Sequence, residues 1–583
     1  MVAARRLVMV SYYVCELLSS SCIPNSNIIC SKRLTLHLID RRTGTVQDTQ
    51  EKQPTTASPT TERPTKAPVG MTKRPTSIII PKEPTTASSS SVNVTEADDS
   101  ASAQVNEYIR IRDVIVSASP YSKMAIADQN STQSRALGWL FSSDPRGLSD
   151  LRLVQRWSLA SFYYATNGNG WADKLGWMEP RDECEWYGVT CIDGVIGKLE
   201  LMQNRLVGEL VPEISTWTNL YWLSLGNDYD APEEEKNEII MPLPSFLGDL
   251  NNLAFLNLAN VGLTSTIPQE LFTSWSRLKS LFLNDNDITG TLPKSIELLD
   301  SIEVLWLGGN NLGGSILSEI GRLVSLRDLS LDSNFREDAT GRRGFIATIP
   351  SEIGQLTSLE ILSLADNALS GLVPMHLGGL VSLRRLQLSG NFFESQLPPT
   401  LGRLEMLEEL DISFNWYVLF AVWRFCFIIV RLRKKLFLGI PRLSSTIPPE
   451  WGNMISLNRL SLASNYNDDD GYFTGGIIGT LPPELANLKN LQEMDLSNNY
   501  LTGTLITEIG QLYLLQSLYI QNNFLTGSIP QEYANCVSLR ELVLQDNDLN
   551  STIGMPEEIC GLPELNLARV DCDLFCSCCQ SLC

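Results

Sequence analysis

Two successive stretches, LKSLFLNDNDITGTLPKSIELLDS from Leu278 and IEVLWLGGNNLGGSILSEIGRLVS from Ile302, are each 24 residues long and share one spacing of Leu, Asn, Gly and Pro. A unit this short cannot bury its own apolar side, so it is stable only when stacked on copies of itself. The pattern L-x-x-L-x-L-x-x-N-x-L-x-G-x-[IL]-P-x-x-[IL]-G-x-L therefore predicts an α/β solenoid with a concave parallel sheet. In such a chain, length counts coils rather than domains.

Thirteen units fall within 194–564, beginning near Ile196, Leu220, Leu253, Leu278, Ile302, Leu326, Leu359, Leu383, Leu407, Leu457, Leu491, Leu515 and Leu539. Eleven fill the Asn position, with Asp228 and Val261 as the exceptions. An Asn one step past each strand can satisfy the backbone groups of the turn, which makes it a structural residue. Repeats two, six and ten are lengthened to 33, 33 and 34 residues, and their additions at Asp228–Met241, Asn334–Ile346 and Asn465–Ile478 should lie along one rim. Within the last, Asn467-Asp-Asp-Asp-Gly471 lacks the ligand spacing of a calcium loop, so it is expected to be a solvated turn and no metal is assigned.

The ends of the array need closing, because a terminal coil would expose its apolar face to water. From Ser149 the apolar positions Leu151, Val154, Trp157, Leu159 and Phe162 follow a helical spacing that stops at Asn167-Gly-Asn-Gly170, and Cys184-Glu-Trp-Tyr-Gly-Val-Thr-Cys191 follows. Residues 148–193 are thus expected to form an N-terminal cap and 565–583 a Cys-rich C-terminal one. Cys184, Cys191, Cys560, Cys572, Cys576, Cys578, Cys579 and Cys583 are disulfide candidates that point to an oxidising compartment. Zinc is the alternative at the C-terminal end, but two spaced C-x2-C knuckles are absent.

The C-x-W-x-G-V-x-C element and the L-x-G-x-[IL]-P half-repeat resemble those of plant-type leucine-rich repeat proteins. The resemblance, over about 148–583, is to the ectodomains of leucine-rich repeat receptor-like proteins and receptor-like kinases. It implies a leucine-rich repeat horseshoe with 3-10 turns and an extra short strand on the convex side. It also implies extracellular or cell-surface recognition of a peptide, glycan or protein, with a co-receptor kinase as a candidate partner. The chain departs from the receptor kinases in lacking a kinase domain: no H-R-D or D-F-G string fits one.

Ahead of the cap, residues 1–50 hold a basic start (Arg5, Arg6) and an apolar run from Leu7 to Leu18, an expected leader or short anchor. The 51–105 stretch, rich in Pro, Thr and Ser up to 92, is expected to be a disordered stalk, and 106–147 a spacer. The sequons at Asn93, Asn130 and Asn550 are glycosylation candidates. The net charge is −21 overall, +3 over residues 1–100 and −24 over the rest. An anionic solenoid argues against nucleic acid as a partner.

One segment breaks register. Leu407 and Leu457 are 50 residues apart, and removing the 26 residues YVLFAVWRFCFIIVRLRKKLFLGIPR, Tyr417 to Arg442, restores the 24-residue spacing. A membrane helix is one reading, weakened by Arg424 and by the shortness of the apolar run. A surface loop would expose an apolar patch. A translated intron is the third and favoured reading, since Trp-Tyr-Val must be encoded TGG-TAY-GTN, which contains a splice-donor-like string.

Function must sit on the scaffold. In each repeat the Leu-x-Leu pair points inward, so four columns face the concave side: the residue before the pair, the residue within it, and the two after it. Aromatics gather there in repeats two to five, as Trp222, Phe255, Phe282 and Trp306, and these with Arg385, Arg459 and Tyr519 are the candidate ligand contacts. The bland alternative is that the aromatics pack on one another. With only His37 and His376 as histidines, no nucleophile-base-orienter set can be assembled, and neither catalysis nor a cofactor is expected. A secreted inhibitor of a hydrolytic enzyme and a structural or adhesion glycoprotein remain the other two functional classes.

Overall fold

The computed structural model describes residues 96–143, 145–338, 341–394, 396–415, 444–465, 476–550, 553–571 and 574–579. The expected leader, Cys572, Cys583, Asn93, the stretch 417–442 and Asn467 to Gly471 lie outside them.

A 15-stranded sheet forms the concave face. Its first strand, Val189–Ile192, pairs antiparallel with Val195–Glu200, and every later neighbour is parallel. Each repeat supplies one short strand in register with the next, so Trp222 lies opposite Phe255, and Phe282 opposite Trp306. The inward Leu pairs are fully buried and form one continuous core along the array. A further strand, Leu567–Arg569, adds to the edge beyond repeat thirteen.

The convex side carries 3-10 turns such as Ser318–Arg322 and Ser351–Gln355, the latter entered from Pro350, where a missing N–H costs nothing. Adjacent turns approach so closely that a Cβ on Gly354 would stand 2.3 Å from the His376 carbonyl oxygen, which is why Gly recurs there. Between turn and sheet, short strands join into two five-stranded parallel sheets. The first ends at Phe392–Glu394 and the second starts at Ser444–Ser445.

The register-breaking segment falls at that gap. The strands on its two sides pair directly, Glu409 opposite Arg459 and Asp411 opposite Ser461. Leu397 N–H donates to Ser445 Oγ (2.8 Å), and the Trp451 indole donates to the Pro398 carbonyl (3.2 Å). Residues 407–415 and 444–457 therefore build one coil, as the 24-residue ruler requires.

The buried Asn residues hold the coils together. Asn391 Nδ2 donates to the carbonyls of Leu364 (2.9 Å), Leu388 and Ser389, while its Oδ1 accepts from Leu369 N–H (3.1 Å). Repeat two has Asp228 at the expected place, yet its rung is filled. Asn237, carried in by the long excursion and 1% exposed, donates to the Leu201 and Leu225 carbonyls and accepts from Asn204 and Leu206 N–H. The excursion thus supplies the missing ladder residue.

The N-terminal end differs from the sequence expectation. Where a disordered stalk to 105 and a spacer over 106–147 are expected, three helices precede Ser149: α1 (Glu96–Ala118), α2 (Lys123–Ala127) and α3 (Thr132–Ser142). They pack Ile111, Ile115, Ile126, Leu137 and Leu140 around Trp157 of α4 (Asp150–Ala165). Most of α1 is polar, so its helix is stabilised by docking on Trp157 rather than by a strong apolar stripe of its own, which hid it. The seal extends to repeat one, where the fully buried Glu213 carboxylate accepts from the Ser122 hydroxyl and from Gln133 Nε2.

A second buried carboxylate fixes α4 to the cysteine element. Glu183 is bound by Arg152 Nε (2.5 Å), Arg156 Nε (2.6 Å) and Gln155 Nε2 (2.9 Å). Burial would raise its pKa, but these hydrogen bonds outweigh it and hold the carboxyl below its ordinary value. A depressed carboxyl contributes stability that is complete above its unfolded pKa and lost as pH falls through the folded one. Titrating the protein below about pH 4.3 should therefore loosen this cap. Tryptophan fluorescence should report that transition, and Glu183→Gln should weaken its pH dependence, the rest coming from Asp182, whose carboxyl is, against burial, also held low by the Cys184 N–H and Arg152.

Candidate functional site

The four aromatics form one half-buried stripe across repeats two to five. Trp222 and Phe255 stack with ring centroids 3.6 Å apart and planes 2° from parallel. Phe255 leans on Phe282 at 5.4 Å, and Phe282 meets Trp306 edge to face at 5.1 Å. From repeat one, Lys198 Nζ sits 4.7 Å from the Trp222 ring centroid and pairs with Glu200 at 2.8 Å. Strand register produces this stripe, since parallel neighbours place equal columns one strand spacing apart. The rings do pack on one another, but across a sheet face that the inner core does not need. Within the same repeat, the Trp222 indole N–H and the Ser224 hydroxyl are buried with no partner among the described residues.

Arg385 and Arg459 stand on the same face but are not free. Arg385 pairs with Glu409 (2.7 Å), and Arg459 bridges Glu409 (3.5 Å) and Glu493 (3.2 Å). One position outward, Lys279–Glu303, Arg327–Glu360 and Arg384–Glu408 repeat the device at 2.8, 2.9 and 2.6 Å. Exposed pairs of this kind contribute little each. Their effect here is to satisfy the cations of these rows within the protein. Tyr519 donates its hydroxyl to Glu541, and burial together with that carboxylate pushes its pKa up to about 12. These three candidates therefore sit on the concave face already engaged, and the glutamates in the same columns were the available signal.

Other carboxylates are unpaired. Asp332, Asp366, Asp411 and Asp495 lie in the columns within and after the Leu pair, and none is within ion-pair distance of Lys or Arg among the described residues. Asp411 and Asp495 each accept a backbone N–H two residues on, at 3.0 Å. Burial, then the charges of Asp332 and Asp411, raises the Asp366 carboxyl above its ordinary value, and burial does the same to Asp495.

The caps carry the covalent links. Cys184–Cys191 closes the N-terminal cap, while Cys560–Cys578 and Cys576–Cys579 cross-link the other end. Cys560, Cys576 and Cys578 crowd within 4.8 Å of one another, but as disulfide sulfurs they offer no thiolate to a metal. Cys536 is a buried free thiol whose pKa burial lifts to about 11. Asn130 is exposed in the turn ahead of α3, Asn550 is exposed past the last convex strand, and His376 is exposed on a convex turn. Among the described residues no helix is long and apolar enough to cross a membrane.

Stacked parallel coils with buried Asn rungs, 3-10 turns and closed ends define a leucine-rich repeat scaffold. Residues 277–299, 301–323, 382–404, 490–512 and 514–536 match the family described as Leucine Rich Repeat, in keeping with that fold. It is similar to Receptor-like protein 35 of Arabidopsis thaliana, 31% identical over 160 residues that cover 24% of this chain and 17% of that protein. Receptor-like protein EIX1 of Solanum lycopersicum is likewise 31% identical over 174 residues, 28% of this chain and 16% of that one. The matched stretches thus span about a sixth of these relatives' length. Among solved structures, the plant peptide hormone receptor RGFR1 in complex with RGF2 superposes with a TM-score of 0.52 at 26% identity, covering 66% of this chain and 59% of that one. The PEPR1–AtPEP1 structure gives 0.52 at 28% identity, covering 71% and 54%.

Proposed function

We propose that the protein is a non-catalytic recognition module, receptor-like and displayed extracellularly or at the cell surface, that binds an extended peptide or protein segment along its concave face. The observation that carries this is the Trp222–Phe255–Phe282–Trp306 stripe. Large aromatics on a solvent-facing sheet, outside the core, are the side chains that dominate binding energy at interfaces. A peptide fits better than a glycan. Lys198 lies over the Trp222 ring from one neighbouring repeat and Phe255 stacks on it from the other, so little of that face is left for a sugar. The likeness to receptors solved with peptide ligands supports the same reading, and a co-receptor kinase is a natural further partner.

Trp222→Ser and Trp306→Ser together should leave the melting temperature within a few degrees while removing ligand binding by at least about 30-fold, since a hot-spot truncation costs about 2 kcal/mol or more. Differential scanning fluorimetry and binding titration on the same preparation check this. A collapse of secretion or of thermal stability would instead make the stripe structural. A tight complex with a secreted hydrolase would favour the inhibitor reading.

A further inference from the structure

The row formed by the residue just before each repeat's first Leu opens with Asn219, Asn252 and Arg277 and then carries Ser301, Ser325, Ser358 and Ser382. One row further in, Tyr221 stands between Gly197 and Ala254, where the following repeats place the ion pairs Lys279–Glu303 and Arg327–Glu360. Long polar side chains outside and small residues inside leave a hollow on the flank of the first four repeats, about 410 Å³ in volume. Sites for small ligands span about 300–1,000 Å³.

The hollow is built of fixed parts. One wall is the hairpin that starts the sheet, where Ile192 pairs with Val195 across the two-residue turn Asp193-Gly194, with φ of 51° and 78°. The floor is Gly197: a Cβ there would stand 2.9 Å from Tyr221 Cε1 and 3.5 Å from Ile192 Cδ1, so the ring and the Ile side chain both reach over the glycine. On the far wall Arg277 donates to Asn252 Oδ1 (2.7 Å), and Asn252 Nδ2 donates to the Thr218 carbonyl (2.8 Å), a relay that holds the guanidinium in place. Unlike Lys279, Arg327 and Arg384, Arg277 has no carboxylate within ion-pair distance among the described residues, and Asp193 has no cation there. The remaining guanidinium donors and the Asp193 carboxylate are thus left to whatever enters the hollow.

We propose that this hollow is a second binding site, which takes a neutral sugar ring of a glycan chain. Its lining combines a cation and a carboxylate, Arg277 and Asp193, with the Asn219 amide, the Tyr221 phenol and the apolar Ile192 and Val195. A pyranose matches that mixture, because its hydroxyls both donate and accept while the C–H face of its ring packs on an aromatic side chain. A bare anion, such as phosphate or a peptide carboxylate, would meet Asp193 as well as Arg277 and would make no use of the ring. The chain's net charge of −21 also opposes uronates and sulfated sugars at longer range. These residues lie in rows outside the columns of the Trp222–Trp306 stripe, so the site does not rest on the peptide-binding reading.

The test is saturation-transfer NMR of the full chain with neutral oligosaccharides of glucose, mannose and xylose, and with an oligogalacturonate as the acidic arm, followed by titration of those that bind. A neutral sugar is expected to bind, with Tyr221→Ala and Arg277→Ala each weakening it about tenfold and Trp222→Ser/Trp306→Ser leaving it unchanged. Arg277 is exposed and bonded only to Asn252 among the described residues, so its removal should keep the melting temperature and controls for any folding defect of Tyr221→Ala. No transfer to any neutral sugar, a preference for the oligogalacturonate, or binding indifferent to Arg277→Ala overturns the proposal. So does sugar binding that is lost with the two tryptophans, which would place the glycan on the stripe instead. The first three of these results leave the peptide-binding reading standing.

Discussion

Asn391→Ala should cost about 3–5 kcal/mol, far above the usual effect of a point substitution, because it orphans several buried backbone groups at once. The carbonyls of Leu364, Leu388 and Ser389 lose their donor and Leu369 N–H loses its acceptor, in a site where the side chain is fully buried. Each unsatisfied group in such a place costs about 1–3 kcal/mol, partly relieved where a carbonyl keeps another donor. Stability in a solenoid is a sum over coils and their interfaces, so one failed rung weakens the junctions on both sides. Thermal unfolding followed by circular dichroism should show a large fall or two separated transitions. Asn535→Ala, on the exposed end of a convex turn, is the control and should be close to neutral. A small effect at Asn391 would mean that water replaces the side chain.

Removing Tyr417 to Arg442, so that Trp416 joins Leu443, should leave the solenoid intact and stabilise it. The flanking pieces already share one coil, through Glu409 opposite Arg459 and the Leu397–Ser445 and Trp451–Pro398 hydrogen bonds. Closing a loop shorter by 26 residues saves about 2 kcal/mol of chain entropy on a Gaussian estimate. It also deletes an apolar run with no place in the repeat. The deletion protein should melt higher and aggregate less than the full chain. A lower melting temperature would show that the segment is an integral part of the fold. Sequencing the transcript across codon 416 tests its origin separately: reads lacking these 78 nucleotides support an intron, and their absence rules it out.

The repeat made the coils legible because its side-chain period is tied to backbone geometry. The columns derived from alternation are those that pair in the sheet, down to Trp222 opposite Phe255 and Phe282 opposite Trp306. What escaped was set by contacts between distant residues. Asn237 lies at the end of an irregular excursion, and no fixed offset marks it as the rung that replaces Asp228. Helix α1 exists because Trp157 is there to cover. Arg385 and Arg459 read from alternation as solvent-facing cations, and only the neighbouring columns show Glu409 and Glu493 at their sides. Phe414 carried a weak signal, since a Phe at a position otherwise held by short polar residues becomes noticeable only once its φ of 57° is known.

The helices before Ser149 also change where the molecule can be cut. A fragment starting at 148, the boundary suggested by the repeat pattern and the cysteine element, would strip α1, α2 and α3 from α4. Trp157 would then meet water, and the Glu213 carboxylate would lose Ser122 and Gln133. The smallest independently folding unit therefore begins near the start of α1, and the first repeat is held closed by sequence that looks like linker.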